Sequence, residues 1–182
     1  MLSDYSYKLI KTINLFDEKL HKNFSDLKNN IIRSLKKGNK VIFFGNGGSA
    51  SDAEHLATEF IIKFKNKRKS LPSISLTSNT SLITACANDF DFTYIFQRQL
   101  ESLLNLGDVV VGISTSGKSK NVIRGLDFAK NKKCFTCLLT GENKISKKYS
   151  SIISVPSKET ARIQECHILI GHALIEDVEK EI

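Results

Sequence analysis

Val41-Ile42-Phe43-Phe44-Gly45-Asn46-Gly47-Gly48-Ser49 is a short apolar run that breaks into glycines, and a helical pattern follows it from Ser51 to about Lys63. A strand covered on both faces reads as continuous apolar sequence, so this stretch predicts a buried strand, a tight turn and a helix. Comparable runs recur at 73–76, 108–113, 134–139 and 152–155. Helix-length segments lie at 81–87, 93–104, 119–130 and from about Thr160 to Ile182. Five strands alternating with helices predict an α/β fold, a three-layer αβα sandwich around a five-stranded parallel sheet.

Upstream of this unit, Leu9, Ile10, Ile13, Leu20, Phe24, Leu27, Ile31 and Leu35 recur mostly at three and four, the spacing of an amphipathic helix or a helical pair. Lys37-Gly38-Asn39 closes that segment, with glycine where a helix stop favours it. The 182 residues suit one domain, 1–182, with 1–37 as an amino-terminal helical extension. No apolar run approaches the roughly 18 residues of a membrane span, and residues 1–10 lack a signal peptide's blocks, so a cytoplasmic protein is expected.

The net charge of +8, from 27 basic and 19 acidic residues, raises the question of nucleic acid. Lysines are scattered through nearly every segment, however, and the one dense stretch is Lys63, Lys65, Lys67, Arg68 and Lys69. A nucleic-acid footprint is a concentrated stripe, so these read as solvated faces, while attraction of small anionic substrates stays open. Cys134 and Cys137 form a lone C-x-x-C in a predicted strand, where residues three apart face opposite ways, and no second pair completes a zinc site. Together with Cys86 and Cys166 they read as buried thiols in a reducing compartment.

In a parallel sheet, ligands bind where loops leave the carboxyl ends of the strands, and two loops there stand out. Gly45-Asn46-Gly47-Gly48-Ser49 begins like a dinucleotide fingerprint, but Ala50 replaces the third glycine and lysines fill the region where a ribose-binding acid belongs. The second loop, Gly112 to Ser119, satisfies G-x-x-x-x-G-K-[ST]. Against an ATP-binding P-loop stand its place after the third strand and the lack of a later strand-end aspartate for magnesium. Its hydroxyls, Ser114, Thr115, Ser116 and Ser119, lie instead at the amino end of a helix, whose free amides and dipole favour a phosphate monoester. His55 and Glu59, spaced i, i+4 one turn beyond the first loop, project from one helix face toward the strand ends.

Gly45 to Ser49, Asn88-Asp89-Phe90, Gly112 to Ser119, and Arg162-Ile163-Gln164-Glu165 followed by His172 resemble the phosphoheptose isomerases of the sugar isomerase (SIS) domain superfamily. The resemblance spans nearly the whole chain and implies the flavodoxin-like SIS fold. It implies a ketose–aldose isomerase that converts D-sedoheptulose 7-phosphate to D-glycero-D-manno-heptose 7-phosphate through an enediol, the entry to activated heptose for lipopolysaccharide or capsule. By the same resemblance Glu59 and His172 are the acid–base pair, and the substrate meets Asn46, Gly47, Gly48, Glu59, Asn88, Asp89, Ser114, Thr115, Ser116, Ser119 and Gln164. A zinc ion held by His55, Glu59, Gln164 and His172, and a homotetramer with sites at subunit interfaces, are implied too. The rival within the superfamily is a non-catalytic sugar-phosphate-binding protein assisting the replication initiator; that branch lacks the catalytic pair.

Gln164 and His172 are eight residues apart, about 12 Å along one unbroken helix. Two such side chains reach one metal only at full stretch, which predicts that a neighbouring chain offers one of them. Lys118 stands where relatives commonly carry asparagine and Ala161 where some carry aspartate; His167 is expected in packing and His21 at the surface.

Overall fold

The computed structural model describes residues 1–146 and 148–182. Two amino-terminal helices, α1 (Leu2–Ile13) and α2 (Glu18–Lys36), precede the alternating unit. The segment is thus a helical pair, broken where the Asp17 carboxylate caps α2 by accepting the Leu20 N–H at 2.8 Å. There follow β1 (Val41–Gly45), α3 (Gly48–Ile61), β2 (Ser73–Ser75), α4 (Thr80–Asp89), α5 (Ile95–Leu103), β3 (Val109–Ile113), α6 (Lys120–Asn131), β4 (Phe135–Thr140), β5 (Ser151–Ser154) and α7 (Thr160–Glu181).

The strands form one sheet in the order β2-β1-β3-β4-β5, parallel throughout. Side chains alternate across it as the pleat requires. Val41, Phe43, Val109, Val111, Ile113, Cys137 and Leu139 pack with α2, α3 and α7. Ile42, Phe44, Val110 and Leu138 pack with α5 and α6 on the other face. This is the expected three-layer sandwich, and it separates Cys134 from Cys137, which belong to opposite layers. All four cysteines are free and buried, and burial pushes the Cys137 thiol up to about 12, far from reactive thiolate.

Two boundaries differ from expectation for local reasons. Gly47, at φ +56, completes the turn after β1, so α3 starts at Gly48, three residues before the expected Ser51. The expected helix over 93–104 is split: Asp91 accepts the Thr93 N–H at 2.8 Å, which winds Phe92–Tyr94 into a 3-10 turn before α5.

Candidate active site

Gly45, the last residue of β1, stands in register with Ile113, the last of β3. The two singled-out loops therefore leave the sheet side by side. They do so where the chain order reverses, since β2 lies on one side of β1 and β3 on the other. A Cβ on Gly45 would come within 2.6 Å of the Ser49 carbonyl oxygen, so only glycine lets the turn close this tightly.

The first loop is braced across that crevice. Asn46 Nδ2 donates to Asn121 Oδ1 at 2.9 Å and Asn121 Nδ2 donates back to Asn46 Oδ1 at 2.8 Å. Asn121 Oδ1 also accepts the Val122 N–H at 2.9 Å. Asn46 thus spends its amide on α6 and presents Gly47 and Gly48, both exposed, to the cleft. Asn121 was not singled out from the sequence; its place two residues past Ser119 is the only signal that could have found it.

In the second loop, Ser114 and Ser119 share a hydroxyl hydrogen bond of 3.0 Å, bringing the two ends of the loop together. Ser119 is the residue before α6, and its hydroxyl makes no capping bond. The helix's amino end is therefore left for an anion. Gly141 N–H donates to the Thr115 carbonyl at 2.9 Å, fastening the loop to the end of β4. Lys118 is exposed, and its backbone N–H donates to Ser116 Oγ at 3.2 Å.

The residues expected to react lie along the seam between α3 and α7. His55 Nε2 and His172 Nε2 are 2.8 Å apart, their rings edge to face at 67°, so one imidazole donates its Nε2 proton to the other. Glu59 Oε1 is 3.8 Å from His55 Nε2. A Cβ on Gly48 would strike the Gln164 amide, and one on Gly171 would strike Leu56. The missing side chains let the helices run close and in step, Gln164 beside Gly48 and His172 beside His55. Both face α3 of their own chain, because the groove is as long as their separation rather than a single point. Asn88 and Asp89 bond to each other at 2.8 Å at the exposed end of α4; among the described residues no hydrogen bond joins them to the loops.

The imidazole nitrogens of His55 and His172 with the Glu59 carboxylate are an N/O set that suits zinc, while Gln164, beside Gly48, lies about two turns away along the seam. Among the described residues no array of three or more His, Cys, Asp or Glu side chains already stands in coordinating geometry. Asp52, one turn before His55, was also missed from sequence. Its Oδ2 is buried without a partner. Burial raises the carboxyl to about 6, partly opposed by His55.

His167, expected in packing, is fully buried on α7. Its Nε2 donates to the Thr140 carbonyl at 3.3 Å, and its Nδ1 is left without a partner. Burial pushes its pKa down from 6.5 to about 4, against the Thr140 bond. The unfolded chain therefore binds a proton that the folded chain refuses between those values. Stability is whole above about pH 6.5 and falls as pH drops toward 4, by about 3 kcal/mol for this group. Thermal unfolding of wild type should lose stability across that window more steeply than His167→Gln; parallel slopes would contradict the assignment. His21 is exposed, as expected.

Residues 4–141 match the family model for the SIS domain. A phosphoheptose isomerase of Aquifex aeolicus (strain VF5) is 50% identical over 159 residues, 86% of this chain and 83% of that one. The structure of phosphoheptose isomerase GmhA from Neisseria gonorrhoeae superposes with a TM-score of 0.89 at 32% identity, covering 98% of this chain and 97% of that one. That of a phosphoheptose isomerase from Francisella tularensis gives 0.92 at 29%, covering 98% and 96%.

Proposed function

The chain belongs to the phosphoheptose isomerase family of SIS-domain enzymes, and from that membership we propose how its residues carry out the isomerisation. The substrate is D-sedoheptulose 7-phosphate and the product D-glycero-D-manno-heptose 7-phosphate. One observation carries the assignment of roles: His172 meets His55 at 2.8 Å, one helical turn from Glu59, on the helix that leaves the ligand loop.

The phosphate sits among the hydroxyls of Ser114, Thr115, Ser116 and Ser119 at the positive end of α6. Glu59 lies eleven residues along α3 from Gly48, about 16 Å, so the sugar's far end, its C1 and C2, meets Glu59 and His172 in a site shared with a neighbouring subunit. The Glu59 carboxylate takes a proton from C1, the electrons pass into a C1–C2 enediol, and a proton returned to C2 completes the aldose. His172 moves the accompanying proton between O2 and O1. Gln164 and the backbone of Gly47 and Gly48 hold the chain of hydroxyls between the two ends, and Asn88 and Asp89 complete the sugar contacts. His55, Glu59 and His172, with Gln164 offered by a neighbouring chain, would hold a zinc ion, which when bound would supply Lewis acidity at the substrate oxygens.

A homotetramer is supported by α1, which leaves Leu2, Tyr5 and Ile10, on one side of the helix, more than half exposed and available to a second copy. A cytoplasmic enzyme supplying heptose for lipopolysaccharide or capsule agrees with the four free, buried thiols. The non-catalytic reading is disfavoured, since both members of the acid–base pair are present and stand on the same α3–α7 seam. The deciding assay incubates the protein with sedoheptulose 7-phosphate and follows the aldose. Turnover is expected with the phosphate ester, and rates at least 100-fold lower with free sedoheptulose, which lacks the anchor. Equal rates on both would remove the phosphate loop from the reading.

A further inference from the structure

The lysine-rich stretch that reads as solvated surface in the sequence hides one inward-facing arginine. Lys63, Lys65, Lys67 and Lys69 are exposed, whereas the Arg68 side chain is 11% exposed and its partner Glu179, on α7, is fully buried. Glu179 Oε1 accepts the Phe64 N–H at 2.8 Å, and its Oε2 accepts the N–H groups of Lys65 at 3.0 Å and Asn66 at 3.1 Å. Arg68 Nε donates to Glu179 Oε1 at 2.8 Å. The same guanidinium reaches the end of α3, where Nη2 donates to the Glu59 carbonyl and Nη1 to the Phe60 carbonyl, each at 2.8 Å.

Two consequences meet at the seam. The last turn of α3, whose Phe60 carbonyl also accepts the Leu71 N–H at 3.1 Å, is tied through Arg68 and Glu179 to α7, so the backbone that carries Glu59 is fixed to the helix that carries His172. The loop held by Glu179 also sets the Phe64 ring against the His172 ring, with centroids 5.2 Å apart and planes at 28°. His55 meets the same imidazole edge to face, with centroids 5.1 Å apart. His172 is thereby held between two rings, and few side-chain rotations remain open to it.

We propose that Phe64, Arg68 and Glu179 form a positioning clasp for the reaction, Phe64 orienting the His172 imidazole and the Arg68–Glu179 pair holding the Glu59 backbone in step with it. None of the three touches the substrate; they act through Glu59 and His172. The inference rests on the roles given to that pair above. Positioning of reacting groups governs the chemical step more than ground-state binding, and small misplacements are costly.

The test compares wild type, Phe64→Leu, Phe64→Tyr and Arg68→Lys, each checked for folding by circular dichroism and thermal unfolding. Steady-state kinetics with sedoheptulose 7-phosphate should show kcat lowered about tenfold in Phe64→Leu with KM within about twofold of wild type. Phe64→Tyr, which keeps the stacked ring, should restore kcat. Arg68→Lys, which keeps the charge and loses the fork, should lower kcat with KM held. A second readout is independent of turnover: the ring-current shift of the His172 carbon-bound protons, seen by NMR, should vanish in Phe64→Leu and persist in Phe64→Tyr. Unchanged kcat in Phe64→Leu, an equal loss in Phe64→Tyr, or a rise in KM alone would overturn the clasp. A wild-type protein inert toward the sugar phosphate would instead overturn the assigned reaction, and the ring-current comparison would still decide whether Phe64 sets His172.

Discussion

Glu59→Gln should lower kcat for sedoheptulose 7-phosphate by about 1000-fold while leaving KM within a few-fold of wild type. The amide keeps the size of the side chain and its place near His55, 3.8 Å away, but it cannot accept a proton from carbon, and a positioned general base contributes 100- to 10,000-fold, roughly. His172→Gln should cost about 100-fold or more, because it removes the group proposed to carry the proton between the oxygens and also the 2.8 Å contact with His55. The double variant should be little worse than Glu59→Gln alone, since the two groups serve one transfer and their losses do not add. Aldose formation measured for the four proteins decides this. A Glu59→Gln enzyme retaining a tenth of wild-type kcat would remove the carboxylate from the role of base.

The second large effect is expected at Gly117, in the loop proposed to hold the phosphate. Its φ of +64 favours glycine, and a Cβ there would come within 2.9 Å of Thr140 Oγ1 and strike the Ile145 side chain as well. The loop must move to accept Gly117→Ala, and Ser114, Ser116 and Ser119 move with it because the turn is closed by Gly117 N–H donating to the Ser114 carbonyl at 2.9 Å. Two weakened charge-assisted hydrogen bonds to phosphate, at about 1.4 kcal/mol each, amount to roughly a 100-fold rise in KM. Gly38→Ala is the matched control, since Gly38 has φ +78 but nothing within 4 Å of an added Cβ. It should cost stability from backbone strain and leave KM alone. Equal KM values in the two variants would show that the loop's shape does not govern phosphate binding.

The strands were legible because a buried parallel strand has no polar face to confuse the reading: Val41 to Phe44 and Val109 to Ile113 are apolar at every position apart from Gly112, which makes room for Val122 and Leu126 of α6. The helix ends were less legible. The start of α3 turned on Gly47 adopting a positive φ, a backbone choice that composition does not reveal. The P-loop lookalike came from Lys118, whose exposed side chain satisfies a spelling and not a fold. Asn121 and Asp52 went unnoticed because each matters through a partner far along the chain or through burial.

The residues alone determined the layered α/β architecture, the two loops at the strand ends and the chemical types available there. They did so because hydrophobic period and glycine placement are local properties. The tertiary structure alone decided that Gln164 and His172 both face their own chain's α3, that Asn46 is turned to Asn121, and that one arginine among four lysines points inward to Glu179. Those outcomes depend on how closely two helices approach, and that distance is set by residues as remote as Gly48, Gly171 and Leu56, whose meeting no spacing along the chain encodes.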